Sequence, residues 1–421
     1  MPTAFVDLLR KGDFVNAERL RLIPSALLLG YAIALLVLFA SAHGATDFKG
    51  RPLGTDFSNV YAAGHAALHG SATAPFDPTS QYAEEKSLFG PATPFYGWHY
   101  PPYFLLIAVP LALLPYLWAL AVWQLATLAL YLGALSTLLR THYAGVLRSH
   151  WLLLAIAFPA AFVNLTHGNN GFLTAALLAS ALACLDKRPT IAGILFGLLA
   201  YKPQFSLMIP LALLVAQRWR VLAAAASTVI ALSLLVTAVF GVDVWGAFLT
   251  STHFARTVVL EQGNTGFEKI QSVFAWVRLW GGSVPLAYIL QGVTTLAVAA
   301  GLIAAWRRQA SFADRGAILC LAAILATPYC LDYDLVALAP AIALLAAQGM
   351  ERGFRPYEKT VLAALWMVPI ATRGIAGATL LPIGVWTVLA TAALVAWHAV
   401  RPDTERSNFE DSQANRKAQP V

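Results

Sequence analysis

Apolar residues along this chain come in long, nearly unbroken runs, not with the period of 2 or 3.6 that marks a half-buried strand or a surface helix. A helix needs about 20 consecutive apolar residues to cross the hydrocarbon core of a bilayer. Leu22–Ala42, Val221–Val242, Ser283–Trp306 and Gly374–Val400 reach that length without an Asp, Glu, Lys or Arg. Shorter runs lie at Gly316–Leu331, Leu335–Met350 and Thr360–Thr372. Three other stretches do not fit single spans. Ser87–Leu139 has no charged residue, Ser149–Leu185 only His150 and His167, and Pro189–Gln217 only Lys202. Each contains breakers where the chain is expected to fold back: Pro101-Pro102, Pro110 and Pro115; His167-Gly168-Asn169-Asn170-Gly171; and Pro203.

Composition turns this pattern into a class. Of 421 residues, 59% are hydrophobic and 12% charged, where a soluble globular protein carries roughly 25% charged residues. A soluble enzyme, a disordered regulator and a nucleic-acid binder built on basic patches are all excluded. The three cysteines, Cys184, Cys320 and Cys330, lack C-x-x-C or metal spacing, so neither a disulfide framework nor a zinc site is expected. The chain reads as an all-α, polytopic transmembrane bundle.

Charge then gives the orientation. The net charge of +7 comes largely from basic clusters between the apolar runs: Arg10/Lys11/Arg19/Arg21, Arg140/Arg148, Lys187/Arg188, Arg218/Arg220, Arg307/Arg308/Arg315 and Arg352/Arg355/Lys359, and then in the tail. All of them face the cytoplasm together if the chain makes about 12 crossings, counting short broken helices, with both termini inside. Residues 1–400 then form one transmembrane domain, with external segments at 45–100 and 243–269, and 401–421 form a disordered cytoplasmic tail. Within the first external segment, Asp56–Gly70 reads as a short helix with Phe57, Val60, Tyr61, Gly64 and Leu68 near one face.

The polar residues of interest gather on the outer side. Lys202 lies between arms of roughly 20 Å at helical rise, too short to reach the outer surface. A recessed ammonium is costly unless paired or wetted, which fits a substrate anion such as a phosphate, or a lysine snorkelling to a headgroup. Asp56 stands where a helix N-cap is expected, and a capping carboxylate can still expose one oxygen. Trp98 suits an interfacial aromatic belt, with His99 and Tyr100 beside it suited to a sugar. His167, Asn169 and Asn170 suit either a plain turn or hydroxyl recognition. Gln204 follows Lys202, and Asp332 and Asp334 occupy another outer turn, too few oxygen ligands for a metal site. In the second external segment, His253, Arg256, Lys269 and Gln271 are candidate phosphate or headgroup contacts. No phosphate-binding glycine loop appears, which disfavours a cytoplasmic nucleotide-sugar donor.

Asp56-Phe57-Ser58-Asn59-Val60-Tyr61-Ala62-Ala63-Gly64, Tyr100-Pro101-Pro102-Tyr103-Phe104-Leu105-Leu106 and Pro110-Leu111-Ala112-Leu113-Leu114-Pro115 together resemble glycosyltransferase family 87. These are integral-membrane enzymes of the GT-C type, related to polyprenol-phosphate-mannose-dependent α-1,2-mannosyltransferases. Gly168-Asn169-Asn170-Gly171-Phe172-Leu173 resembles the family's Gly-Gln/Asn turn, and Tyr201-Lys202-Pro203-Gln204 its Lys-Pro motif. The likeness covers roughly residues 50–220. It implies a GT-C fold in a bacterial inner membrane with a periplasmic or extracellular active site. It also implies inverting transfer of mannose or a pentose from a polyprenyl-phosphate donor to a hydroxyl on a glycolipid or glycan. Asp56 is then the general base, and Lys202, Arg256 and Lys269 the contacts to the donor phosphate. His99, Tyr100, His167, Asn169, Asn170, Gln204, Asp332 and Asp334 are then contacts to sugar or acceptor. No cofactor, metal or nucleic acid is implied. The alternatives are a secondary transporter or lipid flippase, and an O-antigen-ligase-like enzyme with a diphosphate-linked donor.

Overall fold

The computed structural model of the chain describes residues 2–148, 150–308 and 310–400; the tail expected to be disordered lies outside them. Regular structure in these residues is helical throughout, with only isolated bridges between extended residues. Among the described residues six helices are long and apolar enough to cross a membrane: Arg19–Ala40, Tyr116–His142, Trp219–Phe240, Val284–Arg307, Asp332–Arg352 and Ile383–Val400. Only 11% of the apolar window of Arg19–Ala40 and of Trp219–Phe240 is buried, and Leu36 and Leu234 are 69% and 67% exposed. Apolar faces of that extent are stable against hydrocarbon, not water. This is a multi-pass membrane protein.

The centre of the bundle is the nearly fully buried pair Gly171–Cys184 and Phe312–Leu325, both packed against Ala339–Arg352. Around it stand shorter apolar helices, Pro102–Ala112, Pro189–Tyr201 and Pro203–Val215. At 1.5 Å per residue, the last two reach about 20 Å each, less than the roughly 30 Å of a hydrocarbon core. They meet at Lys202, where the extended backbone (φ −130, ψ 72) and the ring of Pro203 end the first arm.

Two breaks differ from the sequence pattern. Gly374–Val400, read as one span, is two helices: Thr372–Thr379 ends at Leu380 in a left-handed conformation (φ 61), and Ile383–Val400 starts beyond Pro382. Thr372–Thr379 instead continues Glu358–Ile370 across a bend of 74°. Pro369 and Pro382 each remove an amide donor from the ladder, while hydropathy is unchanged across both. Pro110, expected as a breaker, is held inside Leu105–Ala112, and the chain turns only at Leu113–Pro115.

The first external segment folds into Phe57–Leu68 and Pro78–Phe89. Phe57, Val60, Tyr61 and Gly64 are buried against Leu105–Ala112, whereas Leu68 is 39% exposed beyond that contact. Residues 243–269 hold the helix Asp243–Phe254, which runs into a π-helical turn at Ala255–Glu261. The long helices share a polarity: Arg19, Arg140, Arg220, Arg307, Arg315 and Arg352 each sit at or near one end. The opposite ends lead into segments that line a single cavity.

Candidate functional site

Asp56 occupies the N-cap position of Phe57–Leu68 but does not cap it. Its backbone is already helical (φ −69, ψ −21), not extended as a capping side chain requires. The first amides are satisfied from behind instead: Phe57 N donates to Gly54 O at 2.5 Å and Ser58 N to Thr55 O at 3.1 Å. The carboxylate is therefore free of backbone duty. One oxygen, Oδ2, accepts from Asn169 Nδ2 at 3.2 Å.

Asn169 is aimed by the turn it belongs to. Gly168 has φ +65, and a Cβ there would lie 2.6 Å from Phe57 Cβ; a Cβ on Gly171 would lie 2.9 Å from Tyr333 O. Glycine at both places lets the turn wedge between the Asp56 segment and the Asp332–Asp334 segment. Trp123 Nε1 donates to Gly168 O at 3.0 Å, and Gly171 N donates to Asn164 Oδ1 at 2.8 Å, fixing it from two helices. Asn169 Oδ1 accepts from Asn170 N at 2.7 Å, which leaves Nδ2 to face Asp56. The side chain of Asn170 is buried and does not reach the cavity.

Lys202 is almost fully buried, and its Nζ donates to Asp334 Oδ1 at 2.5 Å. The other oxygen of Asp334 accepts from Leu331 N at 3.0 Å. The cation expected to await an anion is thus already neutralised by a residue expected to touch sugar. Burying two charges costs several kcal/mol each, and the pair holds only because each answers the other.

Asp56, Lys202 and Asp334 line one cavity of about 370 Å³, within the usual size of a small-ligand site. His99, Tyr100, His167, Gln204, Lys269 and Asp332 line it too. His167 Nδ1 lies 2.8 Å from Val163 O, an acceptor, so Nδ1 carries a proton and Nε2 is left for the cavity. Burial pushes His99 down to about 4, keeping it neutral. Lys269, half-buried, is lowered first by burial and next by the charge of Arg373. Arg256 lies outside the cavity, 65% exposed with Nε 2.9 Å from Glu261 Oε1. His253 also lies outside it, and Gln271 accepts from Thr372 Oγ1 at 3.0 Å. Trp98 is no belt residue: it is buried edge-on against Phe76 and Tyr100. Among the described residues no three His, Cys, Asp or Glu side chains are grouped to hold a metal ion.

Sequence reasoning passed over Arg51, Asn59, Tyr96, Tyr329 and Tyr333, which also line the cavity. The two last stand in the Thr327–Asp334 turn, so their neighbourhood was marked although they were not. Arg373 was missed as well; its signal was a lone cation separating two apolar runs.

Behind the wall formed by Tyr96, Glu85 is fully buried; its Oε2 accepts from Tyr96 N at 3.0 Å, and no cation pairs with it among the described residues. Burial above all, with a smaller push from the charge of Asp56, raises it to about 8. The folded protein therefore keeps a proton that the unfolded chain releases near pH 4.3, and stability falls as pH rises between those values, by a few kcal/mol at order of magnitude. Glu85→Gln mimics the protonated acid. Its melting temperature should match wild type only below about pH 4, the unfolded carboxyl range, and exceed it increasingly up to about pH 8; a gap that stays constant with pH would show Glu85 to be ionised throughout.

The family model of glycosyltransferase family 87 matches residues 98–328. That stretch includes His99, the His167–Gly171 turn, Lys202 and Lys269, starts after Asp56, and ends before Asp332. It extends further towards the C-terminus than the sequence motifs, which lie within residues 50–220. No curated protein and no solved structure matches the chain.

Proposed function

This chain belongs to glycosyltransferase family 87 and is a membrane glycosyltransferase, and on that premise we propose that its donor is a sugar, mannose or a pentose, carried on a polyprenyl phosphate. The acceptor is a hydroxyl of a glycolipid or glycan, and transfer inverts the anomeric centre. The observation that carries this reading is one shared cavity. It holds a carboxylate with one oxygen fixed by Asn169, aromatic and amide side chains, and basic groups, all where helices end opposite their Arg-rich termini.

The chemistry follows from those groups. The acceptor oxygen attacks the sugar C1 while Asp56 takes its proton, and the bond from C1 to the phosphate oxygen breaks with its electron pair moving to that oxygen. The phosphodiester with one negative charge becomes a monoester that gains a second, so cations at the cavity stabilise the transition state more than the ground state. His99, Tyr100, His167, Gln204 and Asp332 are arranged to meet sugar and acceptor hydroxyls. With basic helix ends facing the cytoplasm, the cavity opens on the outer side of the membrane. The short apolar helices then act as pairs that enter and return, giving about 12 crossings within one domain spanning 1–400 and both termini inside.

Purified protein reconstituted in liposomes is expected to transfer sugar from polyprenyl-phosphate mannose or its pentose counterpart to a lipid-linked oligosaccharide acceptor, with inverted configuration in the product. Transfer from a nucleotide sugar alone, with the prenyl donors inert, would overturn the proposal.

A further inference from the structure

The basic side chains around the cavity are not equally available to an anion. Arg51 is bound to Asp47 at 2.7 Å, Lys202 to Asp334 at 2.5 Å and Arg256 to Glu261 at 2.9 Å. Lys269 lines the cavity and forms no ion pair among the described residues. Arg373 reaches one carboxylate, that of Asp332 on the cavity wall, and only at 3.9 Å. Asp332 already accepts from Tyr333 N through its other oxygen.

Arg373 stands just past the 74° bend between Glu358–Ile370 and Thr372–Thr379, with its side chain 44% exposed. Lys269 feels the repulsion of Arg373 more strongly than the attraction of Asp56, Asp332 or Glu268. Asp56, Asp332 and Glu268 stand in the same surroundings, but Lys269 pairs with none of them and Arg373 only at 3.9 Å, so these two cations are the least engaged for an incoming anion. The 3.0 Å bond from Thr372 Oγ1 to Gln271 Oε1 joins the segments that carry Arg373 and Lys269, and a guanidinium and an ammonium together suit a phosphate, the first through its planar fork and the second as a compact charge.

We infer that Lys269 and Arg373 form the anion subsite that takes the donor phosphate, with Lys202 a positioning residue that anchors Asp334 in the cavity floor. This rests on the polyprenyl-phosphate reading above. The charge that develops on the leaving phosphate then falls opposite Lys269, unpaired among the described residues, and Arg373, held only at 3.9 Å from Asp332, while Asp56 faces the acceptor.

Farnesyl phosphate, with farnesol as the uncharged counterpart, tests this by titration of the full-length protein in detergent. Wild type should bind the phosphate well and farnesol at least about tenfold more weakly, since charged hydrogen bonds are worth about 1.5–3 kcal/mol each. Lys269→Gln and Arg373→Gln, at unchanged melting temperature, should each lose at least about tenfold for the phosphate and nothing for farnesol. Arg140→Ala, at the opposite end of the bundle, should bind as wild type does. If wild type prefers the phosphate and both glutamine variants retain that preference, the subsite assignment is wrong and the donor reading stands. If wild type does not distinguish the two ligands, the donor reading itself fails and the subsite with it.

Discussion

Asp56→Asn is expected to lower glycosyl transfer by about 10²–10⁴-fold, the contribution of a positioned general base, and to leave the fold intact. Asparagine has the same shape, and its Oδ1 can still accept the Asn169 Nδ2 bond that Asp56 receives at 3.2 Å. The backbone does not notice the change, because Asp56 makes no capping bond and the amides of Phe57 and Ser58 are satisfied by Gly54 and Thr55. What disappears is the second carboxylate oxygen, free of protein partners, which takes the acceptor proton. Single-turnover transfer from a bound donor, measured beside a thermal melt, separates the two effects. A rate within about threefold of wild type, far inside the span expected for general-base loss, would remove Asp56 from the chemistry.

The Lys202–Asp334 pair should show the largest effect on stability. Lys202→Met leaves Asp334 buried with the Leu331 amide as its main remaining partner, and Asp334→Leu leaves an ammonium in a cavity floor only 4% exposed at Lys202. Removing one member of a buried pair costs about 3–5 kcal/mol, because the other charge stays desolvated. The double variant Lys202→Met/Asp334→Leu replaces both by apolar groups of similar volume and should recover most of that loss. A double-mutant cycle from denaturation in mixed micelles reads the coupling directly. If both single variants stay within about 0.5 kcal/mol of wild type, the pair contributes little, as an exposed one would.

The two effects are expected to be separate in kind. Asp56 is only partly buried at the cavity, with one bond to a turn, so its loss is felt in rate. Lys202 and Asp334 are enclosed and mutually neutralised, so their loss is felt first in folding. Transport fits this arrangement less well than transfer: the polar groups collect where the long helices end opposite their arginines, whereas a transporter's gather near a midplane.

What the sequence determined by itself is what hydropathy, helix breakers and charge encode locally. The spans at Leu22–Ala42, Val221–Val242 and Ser283–Trp306, the turn at His167–Gly171, the helix after Asp56 and the interruption at Lys202 were all legible. Each depends on which residues stand within a few positions of one another, and a proline or a run of leucines acts at that range. Tertiary structure alone decided the partners. Lys202 meets Asp334 across 132 positions and Asp56 meets Asn169 across 113. The bend that brings Arg373 towards Asp332 lies inside an apolar tract whose hydropathy does not reveal it. An ion pair or a hydrogen bond is a property of two atoms a few ångströms apart, and only the packed bundle sets that distance.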